Sequence, residues 1–282
     1  MYANTSPSDD RQLPVSTWPH QRVDAAAAVS FKYDGCRTRL ERLYQQGSAK
    51  VRFPKHYGEP LEAVLINTAG GLTGGDRLGW DITLNNHSNV VLTTQACEKS
   101  YQSVSGTAHV QTTIKLEEGS TLHWLPQETI LYEKSSLSRR FNVELAEGSE
   151  FLAVESLMLG REAMGETVGD ISFHDRWRIK RGAKMIFADD VRLAGSGKTI
   201  ASFGNNRAAA SMLFVSSQDD EALKAIADNL RKACPAQFAG FSAFNGKISG
   251  RILAADSYNL RHALASVLKC LRDTELPRVW RI

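Results

Sequence analysis

The chain has 282 residues, and its 34 basic side chains nearly balance its 31 acidic ones for a net charge of +3. That length holds one large β-rich domain or two ordinary ones, and the balanced charge argues against a polybasic membrane anchor or a nucleic-acid footprint. No run approaches the roughly 18 apolar residues of a membrane span, and the scattered Cys36, Cys97, Cys234 and Cys270, with no CxxC pair, argue against a structural zinc site or a dense disulfide framework.

Met1 to Pro14 is polar and has neither the apolar core of a signal peptide nor the Arg-rich pattern of a transit peptide. Residues 1–20 therefore read as a disordered tail and the protein as cytoplasmic. Ala25 to Tyr33, Thr38 to Tyr44 and Ala63 to Asn67 read as strands. Behind them comes Asn67-Thr-Ala-Gly-Gly-Leu-Thr-Gly-Gly-Asp-Arg-Leu78, where Gly70, Gly71, Gly74 and Gly75 predict a tight turn with something close to its backbone. It lacks the lysine and spacing of a phosphate cradle and leads the chain into the body, with Asp76 and Arg77 at its lip.

From Trp80 the pattern repeats as alternating strand, polar turn and apolar strand. The segments are Trp80–Gln95, Thr113–Gln127, Phe141–Ser156 and Trp177–Asp190, and the turn residues Ser88, Ser120, Ser149 and Ala183 align in steps of 32, 29 and 34. A period near 30 with a shared apolar run signals stacked units, each needing its neighbours to bury its face. The fold expected is mainly β, layered and β-solenoid-like, with the stacked body spanning residues 21–205. If all four units stack in register, Glu155 and Asp189 occupy equivalent places, roughly 5 to 10 Å apart on neighbouring strands.

Gly195-Ser-Gly-Lys-Thr199 resembles the end of a phosphate-binding loop, but Arg192 stands where that motif needs glycine, so a surface turn fits better. Residues 206–282 read as a βαββα segment packed on the body. Its strands are Ala209–Ser216, Phe238–Phe244 and Lys247–Ala254, with Asn245-Gly246 as a hairpin turn. Its helices are Asp219–Cys234, starting behind Ser216 or Ser217, and Ser257–Arg272. Pro277–Ile282 closes the chain as an aromatic plug.

No G-x-S-x-G elbow occurs, and the seven histidines have no ligand spacing; His87 and His123 read as structural. The stretches that resist a packing explanation are Asp76-Arg77, Thr94–Tyr101 with Glu98, Leu125–Glu128, Glu155 with Gly160–Glu166, and Asp189-Asp190. Their acids fit a general acid/base pair of a β-helical carbohydrate enzyme. They equally fit a weak, open oxygen-ligand route for a divalent cation.

Asn-Thr-Ala-Gly-Gly-Leu-Thr-Gly-Gly-Asp, Thr-Thr-Gln-Ala-Cys-Glu-Lys-Ser-Tyr, Trp-Leu-Pro-Gln-Glu, Glu-Ser-Leu-Met-Leu-Gly-Arg-Glu-Ala-Met-Gly-Glu and the terminal Pro-Arg-Val-Trp resemble, in this order from about Val64, the urease accessory protein family UreD, called UreH in some organisms. The resemblance implies a non-enzymatic maturation factor with no tightly bound cofactor. It implies a UreF-like accessory partner, a UreG-like GTPase reached through it, and docking onto apo-urease, with no nucleic acid or membrane involved. It further implies that transient nickel(II) passes through an internal water-filled passage. By motif, the acidic path residues fall on Glu155 and Asp189, with Glu98 beside Lys99 and Asp76 as further contacts. The alternatives are a carbohydrate-active enzyme using Glu155 and Asp189, and a pure docking protein.

Overall fold

The computed structural model describes residues 22–55, 60–160, 166, 168–196 and 203–280. The tail expected over residues 1–20, most of the Gly160–Glu166 motif, the end of the Gly195–Thr199 turn and the last two residues of the terminal plug lie outside them.

The chain opens with β1 (Asp24–Tyr33), β2 (Thr38–Gln46), β3 (Ala49–Arg52) and β4 (Leu61–Asn67). The repeat region supplies β5 (Arg77–Leu84), β6 (Asn89–Thr94), β7 (Glu98–Ser100), β8 (Ala108–Leu116), β9 (Thr121–Leu125), β10 (Thr129–Leu131), β11 (Ser136–Leu145), β12 (Glu150–Leu159), β13 (Asp170–Arg181) and β14 (Lys184–Ser196). Then follow β15 (Ala208–Val215), α1 (Asp220–Ala233), β16 (Phe238–Phe244), β17 (Lys247–Ala254) and α2 (Ser257–Leu271). The strands form a front sheet ordered β14-β13-β11-β8-β5-β1-β2 and a back sheet ordered β16-β17-β15-β12-β9-β6-β4-β3, with β10 and β7 branching from β12.

The repeat is a coil. A strand in the front sheet, a tight turn, a strand in the back sheet and a return segment make one rung, and successive rungs pair in parallel. Leu84 lies beside Leu116 and Leu116 beside Leu145 in front, while Asn89 lies beside Thr121 and Thr121 beside Glu150 behind. These are the 32- and 29-residue steps read from the turns. The turns stack too: Ser88, Ser120 and Ser149 are fully buried, and the amides of Thr121 and Glu150 donate to the carbonyls of Ser88 and Ser120 at 2.8 and 2.9 Å.

The return segments make a third ladder, in which Leu72, Ser100, Leu131 and Leu159 lie side by side. The glycine stretch is thus the return that precedes the first full rung, and it docks on the next one. A Cβ on Gly71 would sit 2.4 Å from the Tyr101 ring, and one on Gly74 would sit 2.0 Å from Ser103 Oγ and 2.3 Å from the Ser105 carbonyl. Only a residue without a side chain permits that approach.

The fourth unit departs from the expected stack. Leu145 lies beside Arg181, where a 34-residue step would bring Ile179, and β14 folds back antiparallel on β13 within the front sheet. The physical reason is burial. The central back-sheet strands are covered on both faces and need a continuous apolar run, as in β12, whereas β14 carries Asp189, Asp190 and Arg192. The apolar β15 takes the place beside β12 instead.

The two sheets enclose one core, with Phe31, Ile114, Leu122, Phe151 and Trp177 among its fully buried side chains. A second core lies on the outer side of the back sheet, where Leu152, Val154 and Met212 meet Leu223 and Leu230 of α1 and Leu264 and Val267 of α2. The first helix is capped by Asp219, whose carboxylate accepts from the Ala222 amide at 2.8 Å, and not by Ser216 or Ser217. Ser216 instead closes the end of β15, its hydroxyl donating to Glu150 at 2.7 Å.

Candidate functional site

On β12 the side chains facing the front sheet are Phe151, Ala153, Glu155, Leu157 and Leu159, so the carboxylate interrupts an apolar series. On β11 the series is Leu137, Arg139, Phe141, Val143, and on β13 it is Ile171, Phe173, Asp175, Trp177, with Arg139 and Asp175 directly paired in register. Three charged groups therefore meet in the core. Arg139 donates from one Nη to Glu155 at 2.5 Å and from the other to Asp175 at 2.6 Å, and it reaches the Thr129 hydroxyl at 3.1 Å. Indole N–H groups complete the set, Trp124 to Glu155 at 2.8 Å and Trp177 to Asp175 at 3.1 Å.

Burial raises the Glu155 pKa, with Asp175 adding to the rise and Arg139 opposing it. For Arg139, burial works against the charge, but Asp175 and Glu155 outweigh it and hold the pKa above its ordinary value. Two carboxylates share one guanidinium, so the cluster is one negative charge in excess when all three are ionised. Arg139 and Asp175 are absent from the sequence-derived candidates, although a charged residue at an inward position of an alternating strand is the same signal that marks Glu155.

These groups stand in the wall of a pocket of about 510 Å³ that reaches from the core to exposed Gly70 and Gln95 at its rim. Glu98 lines it too, held by the Asn67 amide at 3.1 Å and the Lys99 backbone N–H at 3.1 Å. Burial raises the Glu98 pKa, offset in part by those two hydrogen bonds. Glu98 pairs with Thr129 across β7 and β10, and Thr129 bonds Arg139, which links Glu98 to the Glu155 side of the cavity. Cys97 and Gln127 also line this space; burial and then Glu128 push the Cys97 thiol up to about 11, which leaves it an inert thiol at neutral pH.

The other candidates lie elsewhere. Asp76 is buried beneath the glycine stretch, where its carboxylate accepts from the Val23 amide at 2.8 Å and the Thr73 amide at 2.7 Å. It closes the loop and is not among the side chains lining the cavity. Asp189 is not stacked on Glu155: the two are on different sheets, and Asp189 ion-pairs with Arg251 of β17. Glu155 lies beside Ser211 and Ser211 beside Arg251, so a row across the back sheet separates the acids. Asp190 points to the other face and pairs with His174, Arg176 and Arg178.

The Leu125–Glu128 stretch proves to be a lock. Arg261 of α2 bonds Glu128 at 2.8 Å and also Gln127, and stacks 5.6 Å from the Trp280 ring, whose N–H donates to the Leu125 carbonyl at 2.9 Å. Among the described residues no three His, Cys, Asp or Glu side chains are grouped to hold a metal ion, and no helix is long and apolar enough to cross a membrane.

Fold and site together define a coiled two-sheet scaffold, helix-covered on one face, with sequestered acids clamped by arginine and no assembled metal centre among its described residues. The sequence profile of the UreD urease accessory protein family matches residues 23–281. A urease accessory protein UreD of Rhizobium leguminosarum bv. viciae is 42% identical over 275 residues, covering 96% of this chain and 99% of its own length. One from Brucella suis is 42% identical over 94% of this chain and 96% of its own, and one from Agrobacterium fabrum is 39% identical over 97% and 95%. The chain belongs to the UreD urease accessory protein family.

Proposed function

We propose that this chain is a non-enzymatic urease maturation factor, a scaffold and conduit that helps deliver nickel(II) to apo-urease. In this reading it works in complex with a UreF-like accessory protein and, through it, a UreG-like GTPase. The carrying observation is the pocket between the sheets with Glu98 and Glu155 in its wall. A conduit must bind a cation well enough to admit it and weakly enough to let it go, and sparse carboxylates meet that need better than a cage of histidines. Nickel is the cargo, with Glu98 and Glu155 as transient oxygen contacts and Asp189 as a contact at the sandwich edge. Asp76 serves the route by holding the glycine return in place.

The test is co-expression of urease with a Glu98→Gln, Glu155→Gln, Asp189→Asn variant, substitutions that keep side-chain shape and one acceptor oxygen while removing charge. Nickel content and urease activity are expected to fall at least severalfold. Full activation by a folded variant that still binds its partners would retire the conduit role and leave a docking role, which Arg139 favours by already occupying Glu155. A carbohydrate enzyme using Glu155 and Asp189 fits less well, because hydrolysis needs two carboxyls flanking one groove, whereas Glu155 is clamped by Arg139 and Asp189 lies on the other sheet, paired with Arg251.

A further inference from the structure

The helices cover the outer face of the back sheet, but among the described residues the outer face of the front sheet carries no packed element, and its charges are unevenly arranged. At the end next to the tight turns they alternate in register: Lys115 lies beside Glu144 and Glu144 beside Lys180. Toward the other end, arginine adjoins arginine and histidine. Arg140 of β11 lies beside Arg176 of β13, and His174 lies beside Arg192 of β14. Like charges directly opposite on neighbouring strands are destabilising, so this arrangement has a cost that the alternating end avoids. Asp190 is the acid within the group, and it is shared among His174, Arg176 and Arg178 at 2.6, 3.3 and 2.6 Å. Arg140 and Arg192 stand exposed beside them.

We propose that this face, centred on Arg140, Arg176, Arg178 and Arg192, is the docking surface for an acidic protein partner. Charge complementarity identifies the occupant. Beside Arg140 the face presents polar side chains, among them Asp81, Gln111 and Ser138, so orientation and encounter come mainly from charge. A nucleic acid fits less well: the exposed tyrosines of the sheet, Tyr33 and Tyr44, lie on β1 and β2 at its opposite edge, and the chain as a whole is almost neutral. The proposal rests on the maturation reading only in naming apo-urease as the partner to be tried.

The experiment uses the full chain and immobilised, purified apo-urease at low and high salt. An Arg140→Glu, Arg176→Glu double variant is expected to bind at least about tenfold more weakly at low salt, because charge reversal turns attraction into repulsion. Lys224→Glu on α1 should bind like the wild type. An Arg140→Gln, Arg176→Gln variant should melt no lower than the wild type, which separates lost binding from lost folding, and should bind with intermediate strength. Equal, salt-independent binding by wild type and double variant would overturn the surface assignment while leaving the maturation reading intact. Salt-sensitive capture of a random DNA duplex in place of apo-urease would overturn the protein occupant. Failure of the wild type to bind apo-urease at all would instead count against the maturation reading itself.

Discussion

Arg139 is the residue on which the interior depends, because it holds two buried carboxylates that meet no other full positive charge among the described residues. Removing one partner of such a cluster leaves uncompensated charge in the core, typically worth about 3–5 kcal/mol. Arg139→Met should therefore lose about that much in urea unfolding, and adding Glu155→Gln and Asp175→Asn should restore part of it, as groups in one network are not additive. Two other buried groups give opposite pH signatures. Glu98 has a folded pKa above its ordinary 4.5, so its contribution is fully present below 4.5 and is lost as pH rises through the folded value. Glu98→Gln should accordingly gain on the wild type in urea midpoint toward neutral pH and converge with it near pH 4.5. His123, lowered to about 3 by burial and then by Arg272, gives stability that is present above 6.5 and drains away as pH falls toward 3. His123→Gln should flatten that acid limb. At this scale Glu155 and Glu98 were legible because each sits in a recognisable stretch. Arg139 and Asp175 were not, since their meaning comes from strand register and from a facing sheet.

Elements were the more readable scale. The 32- and 29-residue steps between Ser88, Ser120 and Ser149 are the strand registers themselves, because a parallel rung fixes turn and strand spacing together. The same rule failed at Ala183, where a similar turn joins an antiparallel hairpin within one sheet; turn chemistry alone does not say whether the chain crosses to the other layer. The βαββα segment was read almost to the residue from apolar periodicity and Asn245-Gly246. Its attachment through β15 and the second core is reinforced by an aromatic lock whose partners the sequence does not show. Trp280 is buried and bonded to Leu125, with Arg261 stacked against it. Trp280→Ala should cost about 3–5 kcal/mol, as for other large buried aromatics. Its distinctive consequence is local: amide exchange should quicken first in α2 and in Leu125–Glu128, whereas uniform quickening across the front sheet would contradict the lock.

Over the whole molecule the two cores are joined through shared strands. Along β12, Phe151, Ala153, Leu157 and Leu159 pack toward the front sheet, while Leu152, Val154 and Met158 pack toward the helices. Neither face can be formed without fixing the backbone that carries the other. β15 belongs to both as well, with Leu213 and Val215 in one core and Met212 and Phe214 in the other. Composition suggests a boundary near residue 206, yet a cut there removes the strand beside β12 and leaves Val91, Leu125, Leu152, Val154 and Met158 facing water. Burial of side chains of this size is worth about 1.5–3 kcal/mol each, so their exposure is comparable to the whole stability of an ordinary domain. A fragment of residues 22–205 is therefore expected to aggregate or to lack a cooperative melting transition, while the full chain shows a single one by calorimetry. A soluble fragment with its own sharp transition would mean that the coil is an autonomous domain and that the helices are an addition to it.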